Sequence, residues 1–282
     1  MVLKAKAAKV LALMVLTFAA ATSAQAFEKP VLIAEQGSFA AGGTVIRSAG
    51  SFNYSVPSDQ SGQSLHGDHA YVFYQKPAKA HKYPLVFLHG AGQSAKTWET
   101  TPDGRDGFQN IFLGKGYSTY LIDQPRRGRA GQSAVAENIS AATYDQLWFS
   151  NFRLGNWPDF FEGVQFSKNQ EALNQFFRQM TPNTGAFDEN IISAAVAAVF
   201  DILVTHSQGG GPGWLAAIKN PEIRAVVAYE PGSGFIFPAG EVPEPLETTS
   251  PFGALAGREI ALEDFQKLTK IPIVIYYGDN IP

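Results

Sequence analysis

Short apolar runs alternate with helical patterns along most of the chain. Buried strands are predicted for runs bounded by Gly, Pro or charged residues, at 83–90, 117–123, 201–207, 223–230 and 271–279. Between them, helical spacing of apolar residues is found at 106–116, 189–200 and 211–220. Strands that alternate with helices predict an α/β fold, with a mostly parallel sheet flanked by helices.

Two further regions have different patterns. Residues 31–76 carry short β runs separated by Gly, Ser and Pro turns. Residues 134–187 fit no strand, are rich in aromatic side chains and are too long for a simple loop. We expect this aromatic segment (134–187) to be a cap insertion over the carboxyl ends of the strands, where open α/β sheets bind ligands. The alternative is that its aromatic side chains belong to an ordinary core.

Residues 1–26 have the layout of a secretory signal peptide. A basic start precedes a short apolar run, and a small-x-small pattern ends at Ala26. The run is shorter than the ~20 residues that a spanning helix needs, so we expect cleavage after Ala26 rather than a membrane anchor. Residues 27–282 are then long enough for one large domain.

Composition limits the chemistry and the partners. The chain has no cysteine, which excludes disulfides, thiolate catalysis and cysteine metal sites. The formal net charge of −3 gives no reason to expect nucleic acid or an anionic membrane as a partner. Together with the export signal, the lack of cysteine favours a periplasmic or secreted bacterial protein.

The sequence THSQGG (205–210) predicts a nucleophile at a strand-to-helix turn. Ser207 follows a buried apolar run and so lies at the carboxyl end of a predicted strand. Glycines at 209–211 suit a sharp turn, where a side chain would collide with neighbouring backbone. The pattern departs from G-x-S-x-G because Thr205 occupies the first small position. The alternative is that Ser-Gln-Gly forms an ordinary turn.

The predicted strand at 83–90 ends in His-Gly-Ala-Gly (89–92), which resembles the oxyanion-hole loop of α/β-hydrolases. By this resemblance, the backbone N–H groups of Ala91 and Gln208 bind the oxyanion, with Gly92 as the nearest substitute for Ala91. His89 then has a structural role, in which its ring supports the loop.

A phosphate-binding loop is a competing interpretation of the same residues. GAGQSAKT (90–97) nearly matches G-x-x-x-x-G-K-[ST], and Asp123 could bind Mg²⁺ in a P-loop-like NTPase. However, Ala95 replaces the second glycine, where backbone must approach phosphate closely. Pro102 and two glycines also interrupt the helix that should follow, and an exported protein meets little ATP. We keep the NTPase only as a remote alternative.

Longer motifs extend the resemblance to exported bacterial serine esterases of the α/β-hydrolase superfamily. They are HGAG, the stretch from 97 to 131, THSQGG and AYEPG (228–232), in that order. The resemblance covers about 83–282 and implies an α/β-hydrolase fold, with residues 27–82 supplying the opening antiparallel strands. We expect Asp123 to brace its loop by a charge-assisted hydrogen bond with Arg126 or Arg127.

The resemblance implies hydrolysis of a small-molecule carboxylic ester through an acyl-enzyme, without a metal or organic cofactor. Two carboxylates, at Glu230 and Asp279, close predicted strands beyond Ser207, and either could orient a histidine base. The esterase group that the chain resembles uses a Glu in the Tyr-Glu-Pro-Gly setting, which favours Glu230. Asp279 is the alternative. The oligomeric state and the identity of the ester stay open.

None of the five histidines follows Ser207 in the sequence. In the fold that the chain resembles, the base lies in a loop after the last strand. We therefore expect the chain to be C-terminally truncated, so that a last strand, the base and a closing helix are missing. The alternative is a non-catalytic ligand-binding fragment or an inactive hydrolase homologue.

Overall fold

The buried apolar runs pair into a seven-stranded sheet in the computed structural model, which describes residues 30–199, 201–250, 253 and 256–280. The predicted signal peptide (1–26) lies outside the described residues. In chain order the strands are β1 (Ile33–Ala41), β2 (Thr44–Arg47), β3 (Ser64–Gly67), β4 (Ala70–Pro77), β5 (Leu85–Leu88), β6 (Thr119–Asp123), β7 (Gly155–Asn156), β8 (Asp159–Phe160), β9 (Asp201–His206), β10 (Ile223–Tyr229), β11 (Ile236–Pro238), β12 (Arg258–Ile260) and β13 (Ile273–Tyr276).

The main sheet has the strand order β1-β4-β6-β5-β9-β10-β13. Pairs β1–β4 and β4–β6 are antiparallel, and all four pairs from β6 to β13 are parallel. The predicted mostly parallel sheet is therefore confirmed, and a strand is found in each of the five predicted runs, although β13 is exposed at the edge of the sheet rather than buried. The opening region also supplies antiparallel strands, as the resemblance implied.

Helices flank both faces of this sheet, and two further helices lie in the aromatic segment (134–187). The helices are α1 (Phe108–Gly114), α2 (Asp145–Asn151), α3 (Gln170–Arg178), α4 (Glu189–Ala197), α5 (Gly210–Lys219) and α6 (Leu262–Leu268). Alternate residues of β5 enter opposite cores, because successive strand side chains point to opposite faces. Val86 and Leu88 pack in the cluster that holds α4 and α5, whereas Leu85 and Phe87 pack in the cluster that holds α1.

The opening region contains one strand that the sequence pattern missed. The run at 43–50 does not join the main sheet. Instead β2 pairs with β3 as a separate antiparallel ribbon. Strand β3 contains a His and two small polar or flexible residues in its four positions, so it lacks the apolar alternation that marks a half-buried strand.

The aromatic segment (134–187) folds around its own small core. Phe149, Leu154, Leu173 and Phe176 are buried together, and further aromatic side chains pack against them. Helices α2 and α3 lie in this segment. The expectation that it contains no strand is wrong, since β7 and β8 form an antiparallel pair of two residues each. Such a pair is too short to leave a period-2 pattern in the sequence.

Strand β13 forms one edge of the main sheet and leaves apolar side chains partly exposed. Val274, Ile275 and Tyr276 keep about half of their surface in solvent. An apolar edge strand of this kind is open to pairing with a further strand. In the part of the chain that the structure describes, no helix has the length and apolar character required to span a bilayer.

Candidate active site

Ser207 lies at a sharp turn between β9 and α5. Its φ angle is 51°, in the left-handed region that residues other than glycine rarely adopt. A single 3₁₀ turn (Ser207–Gly209) leads directly into α5. This backbone conformation raises the serine side chain above the carboxyl end of the sheet, as at a nucleophile elbow.

Glycines around Ser207 are required by close backbone packing. A Cβ on Gly209 would lie 2.6 Å from the His89 carbonyl oxygen, and a Cβ on Gly210 would lie 2.6 Å from Cβ of Pro231. Both distances are far below normal contact. The elbow therefore packs tightly between the turn after β5 and the turn after β10, and its glycines allow the three backbone segments to come this close.

The mismatch at Thr205 also has a structural reason. Thr205 is fully buried beneath α5, where the usual motif has a small residue. On α5, Gly213 faces it, and a Cβ there would lie only 2.7 Å from Cγ2 of Thr205. Because Gly213 has no side chain, the helix leaves room for the larger Thr205 side chain on the strand. The strand and the helix therefore still pack closely, although Thr205 replaces the usual glycine of the motif.

The predicted oxyanion turn lies directly beside Ser207. A Cβ on Gly90 would be 2.7 Å from Cβ of Ser207. In the described part of the chain, the backbone N–H of Ala91 donates no hydrogen bond to a backbone carbonyl, and Gln208 is the second residue of the 3₁₀ turn that leads into α5. The first N–H groups of a helix lack partners within it. Both donors are thus free to bind an oxygen atom near Ser207.

The loop after β6 is braced by different ion pairs from those expected. The carboxylate of Asp123 accepts a hydrogen bond from Nε of Arg129 at 2.8 Å and from the Ala95 N–H at 2.6 Å. Pairing with Arg126 or Arg127 was therefore a wrong prediction. Arg126 instead binds Asp68 through two hydrogen bonds, in a buried pair that ties the loop to the residues before β4. The spacing of the arginines could not reveal this partner, which lies 58 residues away.

His89 supports the oxyanion turn, as predicted. Its ring is fully buried, and its Nε2 accepts a hydrogen bond from the Gln124 N–H at 3.1 Å. Nδ1 must then carry the proton that it donates to the Gly90 carbonyl oxygen at 2.9 Å. Burial, with the nearby charge of Arg127, lowers the pKa of His89 to about 3. The ring is neutral and fully engaged, so it is unsuited to take a proton from Ser207.

His206 adjoins the nucleophile in sequence but faces elsewhere. Its Nδ1 lies 3.1 Å from Oε1 of Gln93, and its ring stacks on Phe152 of the aromatic segment. Burial, followed by the charge of Arg153, lowers the pKa of His206 to about 4. No hydrogen bond joins this ring to the Ser207 hydroxyl.

The Glu230 turn packs against the elbow. The Gly232 N–H donates a hydrogen bond to the Ser207 carbonyl oxygen at 3.0 Å, and Glu230 itself has a φ of 47°. Its half-buried carboxylate accepts a hydrogen bond from the Gly278 N–H at 2.8 Å and forms an ion pair with Arg153. Asp279 is exposed, and its carbonyl oxygen accepts a hydrogen bond from Nε of Arg153. Of the two candidate acids, Glu230 is thus the one whose turn contacts the backbone of Ser207.

The other histidines make no hydrogen bond to Ser207 in the described residues. His66 is in β3, His69 precedes β4, and Nε2 of His81 lies 3.0 Å from the Lys115 carbonyl oxygen at the opposite end of the sheet. The hydroxyl of Ser207 has no hydrogen-bond partner in the described residues. Within the same residues, no group of three or more His, Cys, Asp or Glu side chains is arranged to hold a metal ion.

An open cleft of about 440 Å³ borders the site. His206 and Glu230 form one wall of it, where they meet the edge of the sheet. Aromatic side chains form most of the remaining surface, from Trp98, Phe108, Tyr229, Tyr276 and Tyr277. The aromatic segment adds Trp148, whose ring lies against Gly92 of the oxyanion turn. The surroundings of the candidate site are therefore largely apolar.

Sequence reasoning missed two residues of the site. Arg127 contacts both parts of the predicted oxyanion hole, and Arg153 binds the candidate acid. Each makes its contacts with residues far away in the sequence, so no local motif marks either role. The only signal was the unusual run of arginines at 126–129 in a chain with few basic clusters.

Comparisons with known proteins agree with this geometry. A family model described as "Alpha/beta hydrolase family" matches residues 85–273. A solved structure described as "The Atomic Resolution Structure of a Novel Bacterial Esterase" is 30% identical with a TM-score of 0.68, covering 90% of this chain and 78% of that one. A protein of a fungal species (strain ATCC 74256), "Probable secreted lipase phiG", is 32% identical over 165 residues. The match covers 53% of this chain and 45% of the lipase, so the chain spans less than half of that relative.

Proposed function

The chain belongs to the alpha/beta hydrolase family, and on that premise we propose that it is a serine hydrolase that cleaves carboxylic esters. The observation that carries the proposal is the left-handed backbone of Ser207 at the end of β9, with Gly90 of the oxyanion turn packed against its Cβ. Backbone strain of this kind persists where a function requires it. The similarity to a bacterial esterase and to a secreted lipase supports an ester as the substrate.

The reaction passes through an acyl-enzyme. Oγ of Ser207 attacks the ester carbonyl carbon while its proton moves to a histidine base, and the carbonyl oxygen becomes an oxyanion. The N–H groups of Ala91 and Gln208 stabilise that oxyanion. The intermediate collapses, and the alcohol leaves with the proton from the histidine. Water then attacks the acyl-enzyme with the help of the same base, and the acid is released.

Glu230 orients and stabilises the protonated histidine. The hydrogen bond from the Gly232 N–H to Ser207 keeps its turn beside the nucleophile, and its carboxylate is half-buried. Asp279, the other candidate, is exposed and interacts with Arg153 through its backbone oxygen. These contacts support Glu230 as the acid, with the Arg153 ion pair rearranging when a histidine binds the carboxylate.

The base is a histidine other than the five in residues 1–282. His89 and His206 use their ring nitrogens in other contacts and have strongly lowered pKa values. The remaining three lie in β3, before β4 and near Lys115, and none of them forms a hydrogen bond with Ser207 in the described residues.

The substrate is a small ester with an apolar acyl or alcohol part. The aromatic segment acts as a cap, and its Trp148 borders the oxyanion turn. The cleft beside Glu230 is lined mainly by aromatic rings, which suit apolar groups. We further propose that the protein is exported, because its N-terminal residues resemble a signal peptide and its relative is described as secreted.

A labelling experiment tests the nucleophile. The protein expressed from its complete gene is treated with a fluorophosphonate probe, beside Ser207→Ala and, as a control, Ser193→Ala, which alters a buried serine of α4 remote from the site. We expect labelling of the wild type and the control but not of Ser207→Ala. Equal labelling of all three proteins would contradict the assignment of Ser207.

A second candidate function is ligand binding without turnover. It is favoured by the engagement of Glu230 with Arg153 and Gly278 and by the lack of a base at Ser207 in the described residues. Hydrolysis of a p-nitrophenyl ester separates the two, measured for residues 27–282 and for the complete gene product. Turnover by the complete product alone supports a base outside residues 1–282. Turnover by both makes one of the five histidines the base, and turnover by neither supports the binding function.

A further inference from the structure

A buried arginine connects the two halves of the candidate oxyanion hole. The side chain of Arg127 is almost fully buried, with 3% of the residue exposed. Its Nη1 donates hydrogen bonds to the Gly90 carbonyl oxygen at 2.8 Å and to Oε1 of Gln208 at 3.3 Å. Its Nε donates to Oδ1 of Asn183 at 2.7 Å. The guanidinium thus joins the turn after β5, the elbow after β9 and the end of the aromatic segment.

The bond to Gly90 determines the direction of the Ala91 N–H. In a trans peptide the carbonyl and the following N–H point in opposite directions. The Gly90 carbonyl oxygen is held by two donors, Nη1 of Arg127 and Nδ1 of His89, so the N–H of Ala91 must point away from them. A cation on the carbonyl also polarises the peptide, which strengthens the hydrogen bond that the N–H can donate.

Neighbouring carbonyls of the turn are fixed in the same manner. The Thr181 N–H donates to the Gly92 carbonyl oxygen at 2.9 Å, and the Thr181 hydroxyl donates to the Gln93 carbonyl oxygen at 3.1 Å. Gln208 is also held from both sides, because its own carbonyl accepts a hydrogen bond from the Ser233 hydroxyl at 2.7 Å. The aromatic segment and the turn are therefore joined at several points around Arg127.

We propose that Arg127 is a positioning residue that orients and polarises the oxyanion donor Ala91, holds the side chain of the second donor residue, Gln208, and couples both to the aromatic segment through Asn183. The proposal rests on the proposed esterase function for its catalytic consequence. The positioning itself is a property of the fold. Burial lowers the pKa of Arg127 to about 10, so the guanidinium stays charged at neutral pH.

The first test measures positioning without requiring activity. Amide ¹⁵N and ¹H resonances of Ala91 and Gln208 are compared among the wild type, Arg127→Gln and Arg129→Gln. Arg129 is the matched control because it lies in the same loop and pairs with Asp123, but makes no hydrogen bond to Gly90 or Gln208. We expect both resonances to move in Arg127→Gln and to stay in place in Arg129→Gln. Unchanged resonances in Arg127→Gln would overturn the proposal.

The second test measures the catalytic consequence in the complete gene product. Arg127→Gln should lower kcat for a p-nitrophenyl ester about 100-fold with KM nearly unchanged, because the donors act only in the transition state. Binding of a trifluoromethyl ketone, which forms an oxyanion on Ser207, should weaken by the same factor. Arg129→Gln should keep the wild-type kcat. A loss confined to KM, or an equal loss in both variants, would overturn the proposal.

Two further outcomes separate the positioning role of Arg127 from the proposed esterase function. If Arg127→Gln does not fold, Arg127→Lys replaces it, since lysine keeps the charge but lacks the fork that reaches several acceptors. We then expect an intermediate kcat, about 10-fold below the wild type, and a wild-type kcat would overturn the proposal. If the wild type neither hydrolyses esters nor is labelled at Ser207, the esterase function fails, and the resonances alone decide whether Arg127 positions the two donor residues.

Discussion

Replacement of Gly90 by alanine tests the contact on which the candidate site depends. Gly90 does not have a positive φ, so alanine introduces no backbone strain. The added methyl group would lie 2.7 Å from Cβ of Ser207 and 3.1 Å from the His206 carbonyl oxygen. Both of these atoms belong to the elbow, which has little freedom to move. The methyl group must therefore push the oxyanion turn away from Ser207.

The size of the effect follows from these distances. Carbon atoms pack at about 3.5–4.0 Å, so the turn or the elbow must move by about 1 Å. A displacement of about 1 Å between a nucleophile and its supporting groups can cost about 100-fold in rate. Overpacking of this kind costs about 1–3 kcal/mol of stability, which a domain of this size can tolerate. We therefore expect a folded protein with about 100-fold lower kcat.

The assay combines turnover with stability. Hydrolysis of a p-nitrophenyl ester gives kcat and KM, and urea unfolding gives the free energy of unfolding for the same preparation. Gly131→Ala is the control, because Gly131 has a φ of −72° and the nearest atom to an added Cβ would be the Gly128 carbonyl oxygen at 3.3 Å. The control should stay within about 3-fold of the wild type. Wild-type turnover by Gly90→Ala would refute the reasoning.

Three further predictions concern stability, each measured by urea unfolding. Arg126→Gln leaves the Asp68 carboxylate buried without its cation and should cost about 3–5 kcal/mol. Burial lowers the pKa of His89 to about 3, against about 6.5 in the unfolded chain, so the protein should lose about 2 kcal/mol of stability as pH falls from 7 to 5 and more as pH falls further toward 3. The variant His89→Gln should lack this loss. Gly213→Ala should cost about 1–3 kcal/mol through its clash with Thr205, and Thr205→Ser should relieve that cost in the double variant.

The central strands of the main sheet could be predicted because they are buried on both faces. Continuous apolar runs such as 83–90 and 201–207 have no other simple interpretation when Gly and Pro bound them. Elements without such runs escaped prediction. The pair β11–β12 consists of strands of three residues, and β3 has almost no apolar residue. Their pairing is decided by tertiary contacts rather than by local pattern.

The candidate site was predictable only where it follows local backbone geometry. Ser207 could be placed at a turn after a strand because a sharp turn requires small residues nearby, whereas the role expected of Ala91 came from the resemblance of His-Gly-Ala-Gly to an oxyanion-hole loop. The ion-pair partner of Asp123 could not be predicted, because the arginines at 126, 127 and 129 are all close enough in sequence to pair with it. Thr205 can replace the usual glycine only because Gly213 of the facing helix leaves room for its side chain, and the sequence alone does not reveal this contact.

The mass of the protein during turnover tests the serine mechanism most directly. The complete gene product is mixed with a p-nitrophenyl ester, quenched in acid within the first turnovers and digested for mass mapping. We predict that the mass of the acyl group appears on the peptide that contains Ser207 and disappears in Ser207→Ala. Turnover with no acyl adduct in the wild type, or an adduct on another residue, would contradict a serine mechanism at this site.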